Sequence, residues 1–246
     1  MKATSDSTTA KNRLRQKVWD RLDAESIGRT GPVHGKIPDF RGADRAAGLL
    51  TEHPGWAKAQ VVKANPDKAQ AEVRLAAVTS GKLLYMAVPK IAADDPFYLV
   101  DPNELPVAAE MAVSGKGAAE HVPRTHPGKM RAVDAIVCGS VAVNPNGVRI
   151  GKGAGYSDIE MGLLAHAGLV TDDTLIVSTV HTLQVIDEPI PETEHDVSVD
   201  LIVTPEGTIA CPPRRRPSGI KWDALGEDKI NAIPVLKALR NGGGLI

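Results

Sequence analysis

Cysteine is nearly missing from this chain: 246 residues hold two, Cys138 and Cys211. Two cysteines build neither a disulfide framework nor a four-ligand zinc site, and the expectation that follows is a reducing, cytoplasmic setting. Aromatic side chains make up only 3% of the sequence. The core must therefore come from Ala, Val, Ile and Leu, which suits strands covered by helices on both faces. An excess of charge of one sign is lacking too, since 29 Lys and Arg face 30 Asp and Glu for a formal −1. No global field then recruits nucleic acid or a membrane surface. The sequence shows no apolar run of spanning length, no secretory signal core and no internal repeat, so no membrane partner is expected.

What is present is an alternation of helical and strand patterns. The polar residues 1–10 are expected to fray. Leu14, Val18, Trp19 and Leu22 then recur at helical spacing, with Lys11, Arg15, Lys17 and Arg21 on the opposite face. Gly28–Asp39 reads as a structured loop, and Ala43–Leu50 as a short helix stopped by Pro54 and Gly55. Ala59–Ala64 reads as a buried strand that runs into the turn Asn65-Pro66-Asp67, at the end of the strand where open parallel sheets hold ligands. Helix Gln70–Thr79 and strand Leu83–Val88 complete a βαβ unit. Ala92–Lys129 shows no clear pattern. Val133–Val143 reads as one strand, Ser157–Gly168 as a helix, and Leu175–Val180, Val197–Val203 and Thr208–Cys211 as strands. The run Arg214–Arg216 reads as a solvated linker, and Leu225–Leu239 as a tail helix interrupted at Pro234. The expected organisation is a frayed stretch 1–10, an α/β domain 11–211 and a linker with a helical tail 212–246. The fold class expected is three-layer α/β around a mostly parallel sheet.

The segment Arg149-Ile-Gly-Lys-Gly-Ala-Gly-Tyr-Ser-Asp158 carries the chemistry. Gly151, Gly153 and Gly155 permit positive φ and close approach of a ligand to the backbone. The helix beginning behind them presents free N–H groups and the positive end of its dipole, which favours phosphate. Arg149 and Lys152 add mobile positive charge, and Asp158 can hold a metal ion that bridges phosphates. On these residues alone, a plain glycine-rich turn with a solvated Arg and Lys fits equally well. His34, His181 and His195 are scattered without metal-ligand spacing. Only His181, just after a strand, is kept as a substrate contact.

Three segments taken together resemble the 5-formyltetrahydrofolate cyclo-ligase family. Lys11 and Arg15 match its Lys-x-x-x-Arg pair on the first helix. Arg149, Gly151, Lys152, Gly153, Gly155, Tyr156 and Asp158 match its glycine-rich loop. Asp196, Val199 and Asp200 match its Asp-x-x-Val-Asp segment. The resemblance implies a NagB/RpiA/CoA-transferase-like three-layer fold and an ATP- and Mg²⁺-dependent conversion of 5-formyltetrahydrofolate to 5,10-methenyltetrahydrofolate. It assigns Lys11, Arg15, Arg149, Gly151, Lys152, Gly153, Gly155 and Tyr156 to ATP, with Lys152 and Arg149 as the catalytic charges. Asp158 and Asp196 would hold Mg²⁺, and Asp67 and Tyr156 would meet the folate-like substrate.

The chain also departs from the family pattern. Ala154 stands where the loop usually has Lys, Ser157 replaces a second Tyr, and Gly139-Ser140 replaces Pro-Gly. The loop from Pro32 to Phe40 is foreign to the ordinary enzymes. These departures resemble a divergent paralogous branch. For that branch the alternatives are activation of another small amide or formyl compound, thiamin-related among them, or a regulatory protein that binds nucleotide or folate without turnover.

Overall fold

The computed structural model describes the backbone of residues 2–213 and 216–244, and side chains from Asp6 onward. Met1, Arg214, Arg215, Leu245 and Ile246 lie outside the described residues. Helix α1 runs Lys2–Ala24 and buries Leu14, Val18, Trp19 and Leu22, the face that the spacing marks. Residues 2–10, expected to fray, continue this helix. The apolar period that reveals a helix in sequence begins only at Leu14, so this polar extension carries no such signal.

Helix α2 (Ala43–Glu52) ends before Pro54, but Pro54 opens a further short helix, α3 (Pro54–Lys58), instead of a loop. The His53 ring accepts from Gly55 N at 3.1 Å, and Pro at a first helical position costs no hydrogen bond. Strand β1 (Val61–Ala64), helix α4 (Ala71–Thr79) and strand β2 (Leu83–Ala87) form the βαβ unit, with β1 and β2 parallel. The stretch without a clear pattern holds β3 (Phe97–Val100), α5 (Ala109–Ala112), α6 (Gly115–His121) and β4 (Arg124–Thr125).

The strand read as Val133–Val143 is two elements. Strand β5 (Ala135–Cys138) stops at Gly139, and β6 (Ala142–Val143) pairs with β7 (Arg149–Ile150) in a separate antiparallel hairpin. A Cβ at Gly139 would lie 2.8 Å from Asp67 Oδ2 and 3.0 Å from Gln70 Oε1, so the chain leaves the sheet where only glycine fits. Helix α7 (Tyr156–His166) follows, then β8 (Leu175–Thr179), β9 (Leu201–Thr204) and β10 (Gly207–Ala210). The tail forms α8 (Glu227–Ala232) and α9 (Pro234–Arg240), broken at Pro234 as its sequence implies.

The sheet has eight strands in the order β10-β9-β8-β5-β1-β2-β3-β4. The run from β9 to β2 is parallel, while β10, β3 and β4 join antiparallel at the edges. Successive side chains of a strand point to opposite faces, and here both faces are covered. Val62, Ala64, Val137, Val177 and Val203 pack with α1, α2 and α4, whereas Val61, Ile136, Cys138, Ile176 and Ile202 pack with Met161 and Leu164 of α7. This is the three-layer α/β arrangement. On the outer side of α7, Ile159 and Leu163 pack with Ile230, Ile233, Val235 and Leu236, which fixes the tail to the body. Arg216 is likewise no solvated linker residue: it donates to Asp200 Oδ2 and to Asp172 O, both at 2.8 Å. No helix among the described residues is long and apolar enough to cross a membrane.

Candidate functional site

The site gathers at the C-terminal ends of β1 and β5. Gly153 (φ 100°) and Gly155 (φ 72°) take backbone conformations that other residues resist, and they turn the loop onto the start of α7. Among the described residues no side chain caps α7, so the N–H groups of its first turn remain available to an anion. Helix α1 reaches this loop with the face predicted: Arg15 Nε donates to Gly151 O at 2.7 Å, and its guanidinium lies under Gly153. One turn earlier, Lys11 Nζ pairs with Asp196.

Arg149 is not the mobile cation expected. It is 5% exposed, and its Nη2 holds Asp158 Oδ1 at 2.6 Å and Ser157 Oγ at 3.2 Å. The β6–β7 hairpin draws it beneath the loop. Its Nε is buried without a hydrogen-bond partner among the described residues. Lys152, by contrast, lies at the surface of the loop. Its side chain is 48% exposed, and Nζ stands 3.7 Å from Asp67 Oδ1.

Burial pushes the Asp158 carboxyl above the usual carboxylate range; Arg149 opposes this and neighbouring Asp196 reinforces it. Burial acts the same way on Asp196, but hydrogen bonds from Lys11 and Thr193 outweigh it and hold that carboxyl below the usual range. Burial lowers the Arg149 guanidinium, yet Asp158 and the surrounding acidic groups more than compensate, so its pKa rises. The two upward shifts have different causes: burial dominates at Asp158, and the neighbouring acids dominate at Arg149.

Asp67 is held by Arg74, whose Nη1 donates to Asn65 O at 2.7 Å and Asp67 O at 2.8 Å. Burial pushes Arg74 down to about 10. Asp67 thus faces Gly139 and Lys152 at the mouth of the sheet. His181 is not brought to this cluster: its ring accepts from Leu183 N at 3.2 Å as a helix cap and meets Phe40 edge-on at 6.1 Å. The Tyr156 ring carries Lys229 Nζ over its face, 4.1 Å from the centroid.

Sequence reasoning missed a buried network below the loop. Lys63 on β1 pairs with Glu160 on α7, and Asn65 Nδ2 adds a bond to Glu160 at 3.1 Å while its Oδ1 accepts from Gly139 N at 3.2 Å. The signal was there: a lysine inside an otherwise apolar buried strand requires a partner.

A cavity of about 230 Å³ lies between the glycine loop, the start of α7, the acidic loop and the tail. Gly153, Ala154, Asp158, Asp196, Lys221 and Lys229 are among its walls. It is smaller than a typical small-molecule pocket of roughly 300–1,000 Å³, so it accommodates part of a ligand. Among the described residues no group of three or more His, Cys, Asp or Glu is placed to hold a metal ion. Asp158 and Asp196 remain as two carboxylates beside an anion-favouring loop. Such a pair suits Mg²⁺, which takes one or two carboxylates and fills its shell with water and substrate phosphate oxygens.

The model of the 5-formyltetrahydrofolate cyclo-ligase family matches residues 7–205. The chain belongs to this cyclo-ligase family. Methenyltetrahydrofolate synthase domain-containing proteins are similar to it: 35% identical in Mus musculus and 34% in Homo sapiens, each over 94% of this chain, covering 63% and 61% of those proteins. The chain therefore spans about three fifths of the length of the curated relatives it matches. The NMR structure of Aquifex aeolicus 5,10-methenyltetrahydrofolate synthetase shares the fold, with a TM-score of 0.53 and 21% identity over 83% of this chain and 94% of that one. The glycine loop, the α1 pair and Asp196 all fall inside the family match, and the tail from 206 onward falls outside it.

Proposed function

We propose that this chain is an ATP- and Mg²⁺-dependent cyclo-ligase that converts 5-formyltetrahydrofolate to 5,10-methenyltetrahydrofolate. The observation that carries the reading is the convergence of Lys11, Arg15, Arg149 and Lys152 on Gly151–Gly155 at an uncapped helix start. Family membership supports it. Arg15, Lys11 and Lys152 bind and orient the triphosphate along the loop. Arg149, fixed by Asp158, supplies constant positive potential beneath it. Asp158 and Asp196 would hold Mg²⁺, and the ion would supply charge neutralisation to the phosphates. Asp67 and Tyr156 flank the substrate end. The formyl oxygen accepts the terminal phosphoryl group, leaving ADP. N10 then attacks the formyl carbon, its proton passes to solvent or the departing phosphate, and the carbon–oxygen bond breaks to release phosphate. The protein's part is positioning and charge stabilisation, which need no covalent intermediate. With only two cysteines in 246 residues, a reducing, cytoplasmic setting suits this activity.

Ala154 and Ser157 favour a second reading, that of a paralogue that keeps the nucleotide site but activates another small amide or formyl compound, thiamin-related among the options, or binds without turnover. One assay separates them. Pure protein with MgATP and 5-formyltetrahydrofolate is followed by methenyl absorbance and phosphate release. Coupled appearance of both is the expected result. MgATP binding with neither signal would transfer the conclusion to the second reading.

A further inference from the structure

We propose that Lys229, on the tail beyond the family match, is a ligand-binding residue of this site, its ammonium contacting a phosphate of the bound nucleotide. The inference rests on the nucleotide reading above and adds a group from a different part of the chain. Lys229 Nζ donates to Ala154 O in the middle of the glycine loop and stands 4.1 Å above the Tyr156 ring. It lines the same cavity as Gly153, Asp158 and Asp196. An ammonium has three donors, and one carbonyl and a ring face leave it short of a counter-ion. Among the described residues no carboxylate lies within ion-pair distance of it. The acid two residues before it, Glu227, is taken by Arg240 at 2.6 Å. Burial lowers its pKa with no opposing acid.

Its position is fixed, because the adjacent Ile230 packs with Ile159 and Leu163 on α7, the helix that carries Asp158. The loop itself places uncharged Ala154 at this point. A partly desolvated cation without a carboxylate, held over an anion-favouring loop, has a phosphate as its natural partner. The tail then completes the site that the cyclo-ligase segment leaves open on this side.

The test is equilibrium titration of the full chain with MgATP at low and high salt, alongside thermal melting. The variants are Lys229→Met, Lys229→Gln, Lys229→Arg and, as a control on the same tail, exposed Lys237→Ala. Lys229→Gln keeps a donor for Ala154 O, so it isolates the charge even if Lys229→Met loosens the tail. The expected result is roughly ten- to hundred-fold weaker binding for Met and Gln and a shallower salt dependence. Recovery to within a few-fold is expected for Arg, with no change for Lys237→Ala. Parent-like affinity in Lys229→Gln, while the parent binds, overturns this inference and leaves the nucleotide reading intact. Weaker binding with an unchanged salt dependence and no rescue by Arg assigns Lys229 to packing and also overturns it. A parent that binds no MgATP overturns the nucleotide reading and this inference together.

Discussion

The two sides of the glycine loop handle charge in opposite ways. Beneath it, Lys63 meets Glu160 and Arg149 meets Asp158, with three of the four side chains at most 6% exposed. Above it, Lys152 and Asp67 stand 3.7 Å apart with side chains 48% and 23% exposed, and among the described residues Lys229 has only a carbonyl and a ring. A buried charge that loses its partner keeps the full desolvation cost, so the lower pairs cannot exchange partners cheaply. A half-exposed pair is worth little, so the upper cations can turn to a ligand at small cost. The lower layer sets the shape of the loop, and the upper layer is left to bind.

The largest break in this contrast is expected from Glu160→Ala. It strands the Lys63 ammonium, which is 0% exposed, and should cost about 3–5 kcal/mol of stability in urea unfolding. A loss below about 1 kcal/mol would mean that the lower pair is not structural in the sense argued. Ala154→Lys sharpens the upper side. In a loop with no other cation nearby, a new charge-assisted contact of about 1.5–3 kcal/mol would raise turnover roughly ten- to hundred-fold. Because Lys229 already reaches Ala154 O, the gain in the parent should be only a few-fold, and the full factor should appear when Ala154→Lys is combined with Lys229→Met. Equal gains in both backgrounds would show that the two lysines do not share a role.

The smallest effect is in pH. The folded pKa of Asp158 is raised, so this carboxyl gains its proton early as pH falls, and metal-dependent nucleotide binding is lost there. That raised value is already net of the Arg149 pairing, so the folded state takes up this proton more readily than the unfolded chain and the step does not destabilise the fold. The folded pKa of Asp196 is lowered, so its stabilisation is present above its unfolded pKa and lost only as pH drops through the folded value. On acidification MgATP affinity should therefore fall before the melting temperature does. Parallel loss of both would contradict the assignment of the two carboxylates.

The layers, the βαβ unit, the buried face of α1 and the glycine loop were legible in the sequence because each rests on local periodicity or on glycine's backbone freedom. The break at Gly139 was not, because its cause is Asp67, brought there by a different strand. Arg149 was misjudged as mobile for the same reason: the hairpin that buries it pairs residues whose strand character is two residues long. His181 looked like a site residue from its place after a strand, yet it caps the next turn. Glu160 reads as one more helix residue until Lys63 is seen opposite it. Lys229 is invisible in sequence, since 75 residues separate it from Ala154.

The most direct measurement is MgATP affinity and stability in parent and Lys152→Ala side by side. The account predicts affinity weakened roughly ten- to hundred-fold, from a lost charge-assisted contact of about 1.5–3 kcal/mol, with a stability change below about 1 kcal/mol. Equal affinity in the two proteins, or a loss of affinity matched by an equal loss of stability, would contradict it.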